Sequence, residues 1–378
     1  MKKRMWHLDT FRGIAVFLVL GAHWVPKPGH GPFFVYQLQK VWKMSAWVAV
    51  DMFFVLSGFL VSGLLFNEYK KNGNVRLKRF FIRRAFKIYP VFYIFVLATV
   101  LVHYMLHLDG SLPFRWSAVL CETLFVQNYG AQLWWHTWSL GVEEHFYILL
   151  GLYVYWRARR SAANTDIFGA IRWIYAVVAV ACILMRVQRI MALPYDPKIH
   201  SMPTHLRMDA LMFGVWFSYY YYFHRQATLD VVHRYRYIIV VCGLALLSTS
   251  AIFPVHVPFM YSVGHTLVYL GFGGVLIYFV CELAECPKFL TAVVGPLAYI
   301  GTCSYPIYIW HASLLAWWLP KIGRFYGIGG YWQSFFIYVI GSVVWGIVVA
   351  RLVEIPMLSI RDTLFPSLST SLFGAKTK

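Results

Sequence analysis

LDTFRGIAVFLVLGAHW, residues 8–24, is the stretch that decides the fold. Its apolar run is long enough for a helix that crosses most of a bilayer. Yet it holds Asp9, Arg12 and His23, which a plain anchor does not need. An ionisable residue inside a span costs roughly 2.5–3.5 kcal/mol on insertion scales, so its default reading is functional. The competing reading is a structural pair or a side chain snorkelling toward a helix end. That reading weakens as more such residues converge. Arg12 and His23 are eleven positions apart, three helical turns plus about 20°, so they share a face with about 16 Å of rise between them. Asp9 lies three residues before Arg12 and can pair with it.

Similar runs recur to the end of the chain. Of 378 residues 60% are hydrophobic and 13% charged, which describes a polytopic membrane protein rather than a soluble domain. Runs of about 20 residues suit helices, whereas barrel strands would show short alternating segments. The expected fold is all-α, with about ten transmembrane helices near residues 8–26, 45–66, 88–106, 138–156, 173–193, 207–223, 238–253, 262–282, 297–318 and 332–352. The run 117–126 is short and reads as re-entrant or interfacial. One transmembrane domain is expected over 1–355, with a short cytoplasmic tail over 356–378. The basic start, MKKRMW, lacks a following small-residue cleavage site, so the first span reads as an uncleaved anchor.

The net charge of +19 invites a nucleic-acid reading, but the cations cluster in short loops between spans. Alternate loops carry 23 and 10 Lys plus Arg, which places both termini in the cytoplasm. The six cysteines form no CxxC, and no Cys/His grouping has zinc-like spacing, so no metal site is expected.

With that orientation, polar residues can be sorted by depth. Asp51 in AVDMFFVLSGFL, Glu143 and Glu144 in HTWSLGVEEHFY, and His205, Arg207 and Asp209 in HLRMDALMFG all fall in the outer half. So do Ser304, Tyr308 and His311 of SYPIYIWH, which share one helical stripe. With His23 they define an internal polar chamber. On the inner side, segment 67–87 holds eight cations. There Arg84 and Lys87 of RRAFKIYP precede a proline-marked helix start, a place suited to a multiply charged phosphate ligand. Several residues read blandly. His103, His107, His200 and His256 read as solvated, His265 as a core histidine, and QLWWHTW (132–138) as belt anchors that could also stack on sugar rings. Gly13 and Gly58 read as packing positions.

These motifs, in this order from residue 8 to 311, resemble the integral-membrane acyltransferase 3 family of bacteria, in its stand-alone form without a fused periplasmic domain. The resemblance implies a bacterial inner-membrane enzyme with no resident cofactor. Its donor would be cytoplasmic acyl-CoA, with acetyl the commonest group, and its acceptor a hydroxyl of an extracytoplasmic glycan. It also implies that His23 is central to activity and that Arg12 and Arg84 take part. Lys87 stands where the family usually has arginine, which keeps charge but loses the bidentate fork. On this reading Arg12, Arg83, Arg84 and Lys87 bind the donor, and His23 is general base or acyl relay. Glu143 or Asp51 orients it, and Arg12 or Tyr308 stabilises the oxyanion. Asp9, Ser139, Glu144, Arg207, Asp209, Ser304, Tyr308 and His311 support the site. The rival is a secondary transporter, which would hold its charges on broken helices within inverted repeats. The sequence displays neither repeats nor paired short spans.

Overall fold

Hydrocarbon offers backbone N–H and C=O groups no partners, so each apolar stretch must bond them within itself, and a helix does this locally. The computed structural model describes residues 6–106, 114–160, 166–283, 290–327 and 330–366, and among these it is helical without strands. In chain order the helices are α1 Trp6–His23, α2 Phe33–Ser45, α3 Val48–Asn72, α4 Leu77–Leu106, α5 Trp116–Thr123, α6 Trp138–Arg159, α7 Ile171–Ala192 and α8 Pro197–His200. They continue with α9 Met208–Phe223, α10 Arg225–Ile252, α11 His265–Glu282, α12 Thr291–Thr302, α13 Ser304–Ser313, α14 Leu319–Tyr326, α15 Tyr331–Val349 and α16 Ile355–Leu364. Residues 367–378 of the expected tail and His107 lie outside the described residues.

A helix stands at each of the ten expected stretches. Among the described residues six segments are long and apolar enough to cross a membrane, and α12 with the segment Ser304–Gly323 makes a seventh if that bent pair counts as one. The shortfall against ten falls on α1, α6 and α9. Of these, α9 has 16 residues, α1 spends positions on Asp9 and Arg12, and α6 carries Glu143, Glu144, Arg157 and Arg159. The helix α5 has 8 residues, too few to cross.

Three expected boundaries move. Helix α4 begins at Leu77, with Pro90 inside it, so Arg83, Arg84 and Lys87 sit on a helix rather than ahead of one. A proline inside a membrane helix is tolerated where the surrounding helices pack around it; here Tyr305 lies beside it, its Oη donating to Ile88 O at 2.8 Å. Helix α10 begins at Arg225 and kinks at Tyr235 (φ −110°, ψ 16°), which turns an expected loop into helix. The expected span 297–318 is broken, with α12 and α13 meeting at 73°.

The core sits between α3, α6, α9, α11 and α13, while α7 and α10 are the least buried of the candidate spans. Glycines set the closest helix contacts. A Cβ on Gly58 would stand 2.0 Å from Leu211 O, and one on Gly214 2.3 Å from Val55 O, so α3 and α9 touch backbone to backbone. Gly13 and Gly301 do the same for α1 and α12, with Cβ positions 2.2 Å from Leu297 O and 1.7 Å from Asp9 O.

Candidate functional site

A cavity of about 430 Å³ opens among α1, α3, α4, α6, α12, α13 and α16. Its lining grades in chemistry. Arg79, Arg83, Arg84 and Lys87 come from the first turns of α4 and Arg361 from α16. Because α4 advances 3.6 residues per turn, Arg79, Arg83 and Lys87 recur at four-residue spacing and share a face. The carboxylates of the C-terminal segment meet this face. Arg83 donates to Asp362 Oδ1 at 2.9 Å and to Phe365 O, and Lys87 pairs with the buried Glu354.

Deeper in, Arg12 faces the same cavity and is paired with Asp9 at 3.3 Å, as its spacing predicts. Tyr147 Oη donates to Glu143 Oε2 at 2.7 Å and accepts from Ser57. The Arg84 guanidinium covers the Tyr147 ring at 3.4 Å, a cation–π contact. Tyr89 Oη donates to Glu144 Oε2 at 3.4 Å. The two glutamates therefore share a cavity with the arginines, contrary to the expected separation by depth. The cause is the early start of α4, which carries Arg84 about two turns into the helix and level with Glu143.

At the far end Tyr308 Oη accepts from Ser139 at 2.7 Å and donates to His136 O. Beyond Tyr308 stand three imidazoles. His23, at the end of α1, has Trp135 at 4.1 Å between ring centroids, His311 at 4.6 Å and His136 at 6.4 Å. Nδ1 of His311 donates to Tyr308 O at 2.6 Å, and Nε2 of His136 donates to Ile309 O at 3.1 Å. Loop 131–137, which brings Trp135 and His136 there, is fastened from α5. Glu122 Oε1 accepts from Leu133 N and Trp134 N, both at 3.2 Å, and from Thr137 Oγ1 at 2.7 Å. Burial pushes the Glu122 carboxyl up to about 7, against the pull of those three bonds.

Neither carboxylate expected to orient His23 reaches it. Glu143 is held by Tyr147. Asp51 lies in a separate buried cluster that does not line the cavity. It accepts from Arg207 Nη2 at 2.8 Å and faces His265 at 3.5 Å. Beside it Arg186 Nη2 donates to Asp209 Oδ2 at 2.5 Å, Arg186 Nη1 to Thr266 at 3.0 Å and Arg186 Nε to Leu206 O at 2.8 Å. Asp51, Asp209 and Arg207 thus belong to one ion-pair array between α3, α7, α9 and α11, and His265 is its fifth member. Ser304 lines the cavity. His200, expected in solvent, is buried against Asp196 and Tyr261.

Sequence reasoning missed Arg79, Arg361, Tyr147, Arg186, Glu122 and His136. An arginine well inside an apolar run was the available signal for Arg186. His136, inside a tryptophan-rich segment that reads equally as a belt, offered none.

A family model described as an acyltransferase domain, of the acyltransferase 3 type, matches residues 5–351. Peptidoglycan O-acetyltransferase OatA of Listeria monocytogenes is 24% identical over 341 residues, covering 83% of this chain and 50% of that protein. O-acetyltransferase OatA of Staphylococcus aureus is 24% identical over 340 residues, covering 82% and 51%. The chain therefore spans about half the length of the curated relatives it matches. No solved structure matches it.

Proposed function

This chain belongs to the acyltransferase 3 family, and we propose from that premise that it moves an acetyl group from cytoplasmic acetyl-CoA to a hydroxyl of an extracytoplasmic glycan. Its ten helical stretches all cross the bacterial cytoplasmic membrane, and both termini lie inside. The observation that carries the reading is one cavity with cations at its α4 end, a Tyr308–Ser139 partition at the other, and His23 beyond.

The coenzyme A phosphates cannot enter hydrocarbon, so they stay with Arg79, Arg83, Arg84, Lys87 and Arg361. Asp362 and Glu354 hold Arg83 and Lys87 until the donor arrives. The thin pantetheine arm runs past Arg12, Ser57 and Glu143 toward Tyr308. About 16 Å of rise separates Arg12 from His23, so Arg12 serves the donor arm and not the reacting carbon. That distance leaves Tyr308 to stabilise the oxyanion, by turning its hydroxyl hydrogen from His136 O to the reacting oxygen while Ser139 supports its Oη. His23, as a neutral imidazole, takes the proton of the acceptor hydroxyl as it attacks the thioester carbon. The acceptor proposed is a cell-wall sugar, since the Listeria monocytogenes relative is named a peptidoglycan O-acetyltransferase.

The test uses purified protein in lipid vesicles with labelled acetyl-CoA and N-acetylglucosamine oligosaccharides. Wild type should release CoA and label the sugar, and a folded His23→Ala variant should do neither. Transfer by His23→Ala at near wild-type rate would sink the proposal. The transporter reading gains one observation, the 73° break between α12 and α13 beside Ser304. A transporter would move its solute without releasing CoA, so the same assay separates the two.

A further inference from the structure

His311 is wholly buried on α13, and its Nδ1 lies 2.6 Å from Tyr308 O. A carbonyl oxygen only accepts, so Nδ1 carries the hydrogen, and in the neutral ring Nε2 holds the lone pair. That nitrogen is buried and has no partner among the described residues. An unmet buried acceptor costs about 1–3 kcal/mol, and among the described residues the ring nearest to His311 is that of His23, with His136 next at 4.9 Å between centroids. The rings of His311 and His23 meet edge to face, with centroids 4.6 Å apart and planes at 75°. Trp135 covers His23 from another side at 4.1 Å. The neighbouring carbonyl, Ile309 O, fixes His136 in the same way, leaving its Nδ1 buried and unpartnered. Two consecutive carbonyls of α13 thus hold two imidazoles with lone pairs free. Among the described residues, the charged or titratable groups whose field reaches His23 are His311, His136 and Lys43, and no carboxylate is among them.

We propose that His311 is the positioning residue of His23, accepting the N–H of its imidazole on Nε2, so that a histidine fills the place usually taken by a carboxylate. The proposal rests on the acyl-transfer reading above and names how its base is oriented. Donation of one His23 N–H to His311 fixes the tautomer of His23 and turns its other nitrogen, with its lone pair, toward the acceptor. Catalytic hydrogen bonds often tighten only in the substrate complex, and the present ring contact is the looser form of that pair. In the transfer the acceptor O–H bond breaks and its proton goes to the free His23 nitrogen. The new O–C bond forms, the C–S bond breaks, and the departing thiolate takes that proton from His23 as coenzyme A thiol. His311 ends each turnover in the protonation state in which it began.

The experiment compares His311→Phe, which keeps a flat buried ring without an acceptor, with His311→Gln, which keeps a side-chain oxygen. Both are reconstituted in lipid vesicles with acetyl-CoA and N-acetylglucosamine oligosaccharides. His311→Phe should lower kcat by about 10²–10⁴, the range of a lost acid–base function, with KM for acetyl-CoA within about twofold. His311→Gln should recover at least about tenfold of that loss, because the hydrogen-bond acceptor returns. If His311→Phe keeps kcat within about threefold of wild type, or if Phe and Gln are impaired equally, the ring only fills space and the proposal is overturned. A wild-type protein that releases no CoA defeats the transferase reading itself and this pairing with it, so the wild-type rate separates the two failures.

Discussion

Asp51 illustrates how burial constrains a single residue. It is 1% exposed and its partner Arg207 is 2% exposed, so neither charge can return to water if the other is removed. Breaking such a pair costs about 3–5 kcal/mol, whereas replacing both members by apolar residues of similar volume is often near neutral. Asp51→Leu or Arg207→Met alone should therefore lower the thermal midpoint in detergent sharply, and the double variant should recover most of the loss. If the double variant is as unstable as the sum of the singles, the array has another role than mutual neutralisation. Arg84 makes a different case at the same scale. It stacks on Tyr147 in the cavity proposed for the donor, at the end away from His23. Arg84→Ala should raise KM for acetyl-CoA by about tenfold or more with kcat little changed, since it removes binding that ground and transition states share. Steady-state kinetics over a range of acetyl-CoA concentrations decide it, and a fall confined to kcat contradicts the assignment.

Single helices respond to shape as much as to charge. Where α3 meets α9, a methyl on Gly58 would run into backbone at 2.0 Å, and the backbone can yield only by moving a helix. Gly58→Ala should destabilise by about 1–3 kcal/mol, the usual cost of overpacking. Gly295 on α12 has nothing within 4 Å of an added Cβ. Gly295→Ala should leave stability unchanged or raise it by up to about 1 kcal/mol through helix propensity. Paired melting curves check both, and equal effects would mean that close approach is not what these glycines provide. The sequence made much of this level legible, because apolar runs mark helices and small residues mark contacts. It misled at boundaries. Lys78 to Lys87 read as a charged loop, yet those residues form the opening of α4, since a cationic helix face is as stable as a loop when it borders an aqueous cavity. The site was half legible for a related reason. Motif spacing located His23, Arg12, Tyr308 and the glutamates, but which carboxylate faces which base depends on helix rotation, and that is set by packing between distant segments. Hence Asp51 turned toward Arg207, and Glu143 toward Tyr147.

For the molecule as a whole, parity of crossings is the sharpest constraint. Termini on one side of the membrane require an even number of spans, so the possible seven cannot hold if the excess of cations in alternate loops reports orientation. Six segments qualify on length and hydropathy; adding α1, α6, α9 and the α12–α13 pair gives ten. The doubtful member is α9, whose 16 residues rise only about 24 Å, short of a hydrocarbon core of about 30 Å. Its surroundings answer the objection. Helix α9 is buried along nearly its whole length against α3, α7 and α11, so it needs to span protein rather than lipid, and local thinning accommodates the remainder. Single cysteines placed in a cysteine-free background and probed with a membrane-impermeant maleimide on intact cells test the count. Positions 27 and 198 should react from outside, and positions 71 and 226 only after the membrane is opened. If 198 and 226, which flank α9, react from the same side, α9 does not cross. The chain would then have an odd number of spans, and the cationic mouth and the histidines could not both stand where acyl transfer across the membrane requires them.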